Sequence, residues 1–367
     1  MKILHLLSGG NIGGIEMLCN DIADMSTDKN EFCFLYNGGV IADTMAQKNV
    51  VYRYYLKNIF IRLLMLWNLV RKQKYDIVVV HHEGIGIYCF YLMLCRCFKN
   101  MFFIKYLHCS YEKESFYTGN KFKDRLNYQV LKKTLLKSSH LIAVSEFVKN
   151  SYQLEFGFNE DKISVIYNGI YQRSSNSSTN ISTIDENNTR LLFIGRLVEL
   201  KGLHILLRAI KKLQECGTNL ELEVLGDGIL RSEYEQMIQE LGIQNIYFRG
   251  YQIDKEKYFA STQIYVCPSI CEEAFGISIV EAQAAGLICV ASRVGGIPEI
   301  ISNGKNGFLF EKGNVDDLTN TLQNAIEMCE SSKYDEMQKA ARENAERFSI
   351  QQTVDSLHEI CSRIVEE

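Results

Sequence analysis

"CPSICEEAFGISIVEAQAAGLICVASRVGGIPEII" occupies residues 267–301. An apolar run ends at Cys267-Pro268, a loop carries Glu272 and Glu273, "FGIS" opens a helix, and Gly286 leads into a second apolar run, ICVAS (288–292). A helix held between two short apolar runs is the pattern of a parallel β-α-β unit. A helix that starts near Gly276 puts the amides of Phe275, Gly276 and Ile277 at its positive end, where a phosphate is favoured. Glu281, about one turn inside the helix, follows Glu273 by eight positions. The two carboxylates then flank one anion site and suit the hydroxyls of a ribose and a sugar. The neighbours of Glu281 in "SIVEAQAAG" are apolar or small, which speaks against an ordinary solvated helix residue.

The same rhythm extends in both directions. Strand-like runs upstream are LLFIG (191–195), LELEVLG (220–226), IYFRG (246–250) and IYVCP (264–268), with helical stretches near 202–215, 229–241 and 277–285. Helices dominate from 314 onward. The first half repeats the pattern with KILHLL (2–7), FCFLY (32–36), DIVVVH (76–81), FFIKYL (102–107), LIAVS (141–145) and ISVIY (163–167). Helical stretches there fall near 15–25, 59–74, 86–97 and 121–138. Between the halves, "QRSSNSSTNISTIDENNT" (172–189) cannot build a core and reads as a linker or surface loop.

The chain's 367 residues suit two domains, and its 47% hydrophobic and 23% charged content describes a soluble globular protein rather than a disordered one. The expected organisation is an N-terminal lobe over 1–170, a polar linker over 171–189, a C-terminal lobe over 190–349 and a last helix, 350–367, that crosses back to the first lobe. The twelve cysteines are scattered in apolar runs without C-x-x-C spacing, and buried reduced thiols of a cytoplasmic protein are expected. The apolar stretch before Ser8 is too short for a signal peptide, so the sequons at Asn176, Asn180 and Asn187 are expected to stay unmodified. Residues 1–170 hold 21 Lys and Arg against 15 Asp and Glu, and residues 171–367 hold 19 against 29.

The opening "MKILHLLSGGNIGGIEML" (1–18) sets four glycines between a strand and a helix. A dinucleotide fingerprint needs G-x-G-x-x-G and an acidic residue closing the second strand. Here Asn11 takes the second glycine's place and the second strand ends in "FLYNGG". Two readings remain: backbone amides at Gly13 and Gly14 that let a phosphate or sugar approach, or a tight turn with no ligand. In "FIGRLVELKG" (193–202), Arg196 and Lys201 follow a strand end, where parallel sheets bind ligands and two cations suit a diphosphate.

Together these stretches resemble glycosyltransferase family 4, the retaining group with the GT-B fold, in which two Rossmann-like α/β lobes face each other across a cleft. The resemblance rests on "GGIE" (13–16), His108 in "YLHCS", "AVSEFVK" (143–149), "VIYNGI" (165–170), "GRLVELKG" (195–202), "LGDG" (225–228), "FRGY" (248–251), the pair Glu273 and Glu281, "VGGIPEII" (294–301) and "NGFLF" (306–310). It implies that Arg196 and Lys201 hold the donor diphosphate and that Glu281 binds ribose. Glu273 would lie beside the transferred sugar, with the amides of Phe275, Gly276 and Ile277 on the distal phosphate or sugar. Gly226 and the stretch Arg249, Gly250 and Tyr251 would border the nucleotide, Gly13 and Gly14 would close on the donor from the other lobe, and His108 would face the reacting sugar. Ala274 stands where many members of the family have Gly or Pro.

The implied activity is retaining transfer of a sugar from a nucleoside-diphosphate sugar to a glycan or lipid-linked acceptor hydroxyl, in bacterial surface polysaccharide synthesis. A nucleotide-sugar epimerase or hydrolase, a noncatalytic nucleotide-sugar-binding subunit and, more remotely, a dehydrogenase are the alternatives. No D-x-D follows a strand, so no metal or other cofactor is expected. His81 and His82 suggest zinc, but no third ligand has a suitable spacing, which leaves acceptor contact or plain packing. "VYRYYLKNIFIRLLMLWNLVRKQKY" (51–75) carries six basic residues and no acidic one. This stretch and "LKKTLLK" (131–137) suit peripheral contact with an anionic membrane at the inner face, unless 59–70 is a buried helix with a basic end. No nucleic-acid partner is expected.

Overall fold

The computed structural model describes residues 1–11, 13–55, 58–81, 85–98, 101–112, 120–171 and 189–366. His82, the linker 172–188 and the three sequons lie outside the described residues. The chain divides into two compact units, Met1–Gly169 with Ile350–Glu367, and Ile170–Ser349.

The first unit contains β1 (Lys2–Gly9), α1 (Gly14–Met25), β2 (Lys29–Asn37), α2 (Val40–Met45), β3 (Val50–Arg53), α3 (Ile59–Gln73), β4 (Ile77–Val80) and α4 (Ile85–Cys97). It continues with β5 (Phe102–Leu107), α5 (Lys121–Lys137), β6 (His140–Ala143), α6 (Glu146–Phe156) and β7 (Ile163–Val165). The strands form one sheet in the order β3-β2-β1-β4-β5-β6-β7, and every pairing is parallel. Side-chain alternation sends Leu4, Leu6, Cys33, Leu35, Val78 and Val80 to a core shared with α3 and α4. The opposite face puts Leu7, Phe32 and Phe34 against α1 and α2. Asn58, Asn120 and Ser145 cap α3, α5 and α6 by accepting amide hydrogens of the first turn, which fixes where these helices begin.

The second unit contains β8 (Thr189–Ile194), α7 (Leu203–Glu215), β9 (Leu220–Leu225), α8 (Arg231–Leu241), β10 (Ile246–Gly250), α9 (Glu256–Ala260) and β11 (Ile264–Cys267). After these come α10 (Ile277–Ala285), β12 (Ile288–Ser292), α11 (Ile297–Ile300), β13 (Phe308–Phe310), α12 (Val315–Glu330) and α13 (Tyr334–Glu346). The strand order is β10-β9-β8-β11-β12-β13, again all parallel. The apolar stripes of α7 and α12 pack on one face. α10 and α13 are tied together by Asn344 Nδ2, which donates to Gln283 Oε1 at 2.8 Å. α14 (Ile350–Glu366) belongs to the first unit, where His358 Nδ1 lies 2.7 Å from Asp28 Oδ2.

Two sequence expectations need correction. The eleven cysteines whose side chains are described form no disulfide, but Cys97, Cys109 and Cys216 are exposed rather than buried. The segment 51–75 starts in the edge strand β3 and runs through α3. α3 buries Leu66, Leu69 and Val70 while Phe60, Ile61 and Leu64 stay exposed, so it is not buried all round.

Candidate functional site

In both sheets the chain reverses direction beside the first strand, between β1 and β4 and between β8 and β11. Loops that diverge from such a point leave a crevice at the carboxyl ends of the strands, where ligands bind in open parallel sheets.

In the second unit Arg196 and Lys201 lie on the segment after β8, and Glu273 and Glu281 on the loop and helix after β11. Lys201 Nζ donates to Glu273 Oε1 at 2.6 Å, and Ser269 Oγ donates to the same oxygen at 2.5 Å. Burial works against the Lys201 charge, but the Glu273 carboxylate outweighs it and holds the ammonium above its ordinary range. Arg196 is exposed, and its side chain takes no partner among the described residues. Lys255 Nζ lies 2.5 Å from both oxygens of Glu281.

The entry to α10 is built from glycine. Gly276 caps the helix at φ 118°, a conformation that side chains resist, so the sequence must carry glycine there. The amides of Gly276 and Ile277 reach no protein acceptor among the described residues. The loop before them is held by "VGGIPE": Gly296 N donates to Glu273 O at 2.8 Å and Gly295 N to Glu272 Oε2 at 2.7 Å. Phe275 is buried edge-on against Phe348, with ring centroids 5.3 Å apart. Two cations, two carboxylates and an open helix N-terminus thus collect at adjacent strand ends, a donor set suited to a diphosphate carrying hydroxyl-bearing groups.

Other predicted residues fall differently. Gly226 N donates to Gly250 O at 2.8 Å, and a Cβ on Gly226 would sit 1.9 Å from Gly195 O. Its glycine therefore serves close backbone packing. Arg249 is turned onto Glu223, with N···O distances of 2.6 and 2.9 Å. Tyr251 stays half exposed, its hydroxyl pushed up by burial and by the Glu281 charge.

In the first unit a pocket of about 320 Å³ at the ends of β1 and β2 is lined by Ser8, Gly9, Asn11, Glu16, Tyr36 and Asn37. Gly13 caps α1 in an extended conformation, φ −155°, that any residue adopts. A Cβ there would meet only the movable end of Glu16, and one on Gly14 would meet nothing within 4 Å. A Cβ on Gly10, by contrast, would lie 2.4 Å from that of Ala42. His108 follows β5, stacked flat on Tyr106 with centroids 4.6 Å apart, and its Nε2 lies 2.9 Å from His81 Nδ1. Lys255 and Ser269 were not marked by any motif or spacing, whereas His81, singled out in the sequence beside His82, is the ring that meets His108.

The segment 34–172 matches the model of Glycosyltransferase Family 4, and 175–347 matches Glycosyl transferases group 1. An uncharacterized glycosyltransferase of Methanocaldococcus jannaschii is 34% identical over half of this chain, and the match spans 49% of that protein's length. Lipopolysaccharide 1,2-N-acetylglucosaminetransferase of Salmonella typhimurium is 30% identical over 58% of the chain, spanning 61% of its own length. The crystal structure of Anabaena HepE in complex with UDP superposes with a TM-score of 0.84, at 23% identity, over 99% of this chain and 100% of that one. With its two parallel α/β sheets and both halves matched in order, the chain belongs to the GT-B glycosyltransferases of the family 4, group 1 type.

Proposed function

We propose that this protein transfers a hexose from a nucleoside-diphosphate sugar to an acceptor hydroxyl, with retention at the anomeric carbon, in the synthesis of a bacterial surface glycan. The observation that carries this reading is the set of groups at the ends of β8 and β11: Arg196, Lys201, Glu273, Glu281 and the open terminus of α10. The demanding step is departure of the nucleoside diphosphate. Arg196, Lys201 and the α10 amides would neutralise its developing charge, while Glu281 would accept from ribose hydroxyls and Glu273 from the sugar. Gly13, Gly14 and His108 would contribute from the first unit, toward the transferred sugar.

No metal is assigned a role, because the cations and amides already supply the positive charge. Turnover should therefore survive EDTA, and a strict requirement for Mg²⁺ or Mn²⁺ would count against the mechanism. The UDP and UDP-glucose bound by HepE and the activity named for the Salmonella relative support a nucleotide-sugar donor and a lipopolysaccharide-type acceptor.

The acceptor is lipid-linked on this reading, and the enzyme works at the cytoplasmic face of a membrane. No described helix is long and apolar enough to cross one. Exposed apolar residues at Phe60, Ile61 and Leu64 on α3, and at Phe122, Leu126 and Leu136 on α5, instead sit among exposed Arg71, Lys72, Lys123, Arg125 and Lys133. Such surfaces bind anionic bilayers peripherally. Failure to co-sediment with anionic liposomes would remove this part.

The deciding experiment supplies the purified chain with a panel of UDP- and GDP-hexoses and a lipid-linked glycan extract, and reads product configuration by NMR. A glycoside with the donor's anomeric configuration is expected. Release of free sugar or an epimer as the sole product would overturn transfer.

A further inference from the structure

Four polar side chains cross the buried face of the first sheet under α1. They follow the sheet order β2-β1-β4-β5: Asn30 and His5 lie in β2 and β1, and His81 and His108 are the residues directly after β4 and β5. His5 and His81 are 0% and 1% exposed, and His108 8%. The contacts run without a gap: Asn30 Oδ1 to His5 Nε2 at 3.0 Å, His5 Nδ1 to His81 Nε2 at 3.0 Å, and His81 Nδ1 to His108 Nε2 at 2.9 Å.

The chemistry of Asn30 gives this chain a direction. Its Nδ2 donates to the Asp28 carbonyl at 3.3 Å, and a carbonyl only accepts, so the oxygen of the amide faces His5. That oxygen also only accepts, so His5 Nε2 carries the hydrogen. A neutral imidazole has one N–H, so His5 Nδ1 is bare and accepts from His81 Nε2–H. His81 Nδ1 is then bare and accepts from His108 Nε2–H. Burial holds all three rings neutral. The charged groups around them are the Lys105 ammonium, which disfavours a proton on His81 and His108, and the Asp28 carboxylate, whose weaker pull on His5 does not offset its burial. Among the described residues the remaining nitrogen, His108 Nδ1, has no partner.

We infer that Asn30, His5 and His81 are positioning residues that lock His108 in its Nε2–H tautomer, so that its bare Nδ1 accepts a hydrogen bond from a hydroxyl of the bound sugar. This rests on the reading that His108 lies beside the sugar. The chain makes His108 an acceptor and not a proton donor at neutral pH, which selects a ligand with a hydroxyl at that point over one with only an ether or carbonyl oxygen. Cys19, also buried, brings a sulfur to the same place, so that one ligating atom each from His5, Cys19 and His81 lie within 4.8 Å of one another. Burial keeps that thiol protonated, and the facing nitrogens are already spent on each other.

The test is two-bond ¹H–¹⁵N correlation on the full chain labelled at histidine, at neutral pH, with resonances assigned by single replacements. The expected result is the Nε2–H pattern for His5, His81 and His108. Asn30→Leu should convert His108 to a mixture of tautomers and lower kcat about 10- to 100-fold, as loss of an orienting partner commonly does, with little change in KM for the donor. Asn30→Asp, which keeps an accepting oxygen for His5 Nε2–H while giving up the donation to the Asp28 carbonyl, should keep the pattern. Should Asn30→Leu not fold, His5→Phe breaks the chain at the next link and should give the same mixture. An Nδ1–H or protonated His108 in the parent, a His108 pattern indifferent to these replacements, or one zinc per purified chain would each overturn the inference. His108 resonances unmoved by saturating UDP- and GDP-hexoses that do shift resonances of the second unit would overturn its assignment to the sugar hydroxyl, leaving the donor site intact.

Discussion

Lys201 Nζ and Glu273 Oε1 are 2.6 Å apart, and Ser269 Oγ reaches the same carboxylate oxygen. The pair holds a cation and a carboxylate against each other in fixed positions. On the proposed reading this preorganised charge would act on the departing diphosphate without reorganisation cost, and losing one such group typically lowers kcat about 10²- to 10³-fold. Lys201→Ala and Arg196→Ala should each do so while the chain remains folded, as read by release of the nucleoside diphosphate. Turnover within a few-fold of the parent would remove these residues from the charge-stabilising role.

Glu281 offers both carboxylate oxygens to Lys255 Nζ, and on the proposed reading the ribose hydroxyls would donate to the same carboxylate. Hydrogen bonds to a charged acceptor contribute about 1.5 to 3 kcal/mol. Glu281→Ala should therefore weaken UDP or GDP binding by at least about tenfold, measured by titration calorimetry. An unchanged dissociation constant would place the ribose elsewhere.

The glycines separate by what a Cβ would meet. At Gly226 it would sit 1.9 Å from Gly195 O, on a backbone with φ 135°, so Gly226→Ala should destabilise the second unit outright. At Gly13 it would meet only the mobile end of Glu16. Gly13→Val should leave the melting temperature close to the parent's, and impair turnover more than it weakens binding of free nucleotide. Equal loss of both would make the Gly13 loop a primary nucleotide site.

These contrasts bear on what could be read before the fold was known. The strands of both units declare themselves through runs such as "DIVVVH" and "LELEVLG", because that signal is local. The edge strand Val50–Arg53 did not, since "VVYR" is short and stands close before an apolar, basic helix. Gly226 was legible as a special position, but its partner Gly195 depends on which strands lie side by side. The histidine chain was hidden for the same reason. His5 stands alone between leucines in sequence and meets Asn30, 25 residues away, and His81, 76 residues away, only through the strand order. Lys255 lies 26 residues from Glu281 in a stretch with no periodicity to mark it.

Burial of these histidines also fixes how the first unit responds to acid. His5 is pushed down from 6.5 to about 4 by burial, and His140, packed beside Ser164, likewise to about 4. Both take up a proton more readily unfolded than folded. Their contribution to stability is thus fully present above about pH 6.5 and is lost as pH falls from there towards 4. At pH 5 the loss is about 2 kcal/mol for each, with His81 and His108 acting in the same direction. The melting temperature of the first unit should drop on the order of 10 °C between pH 7.5 and pH 5. Replacing His140 by Gln, which keeps a polar partner for Ser164 but does not titrate, should reduce that drop. A melting temperature that stays flat across this range would mean that the buried rings accept protons in the folded protein, and the neutral chain from Asn30 to His108 would then be lost with it.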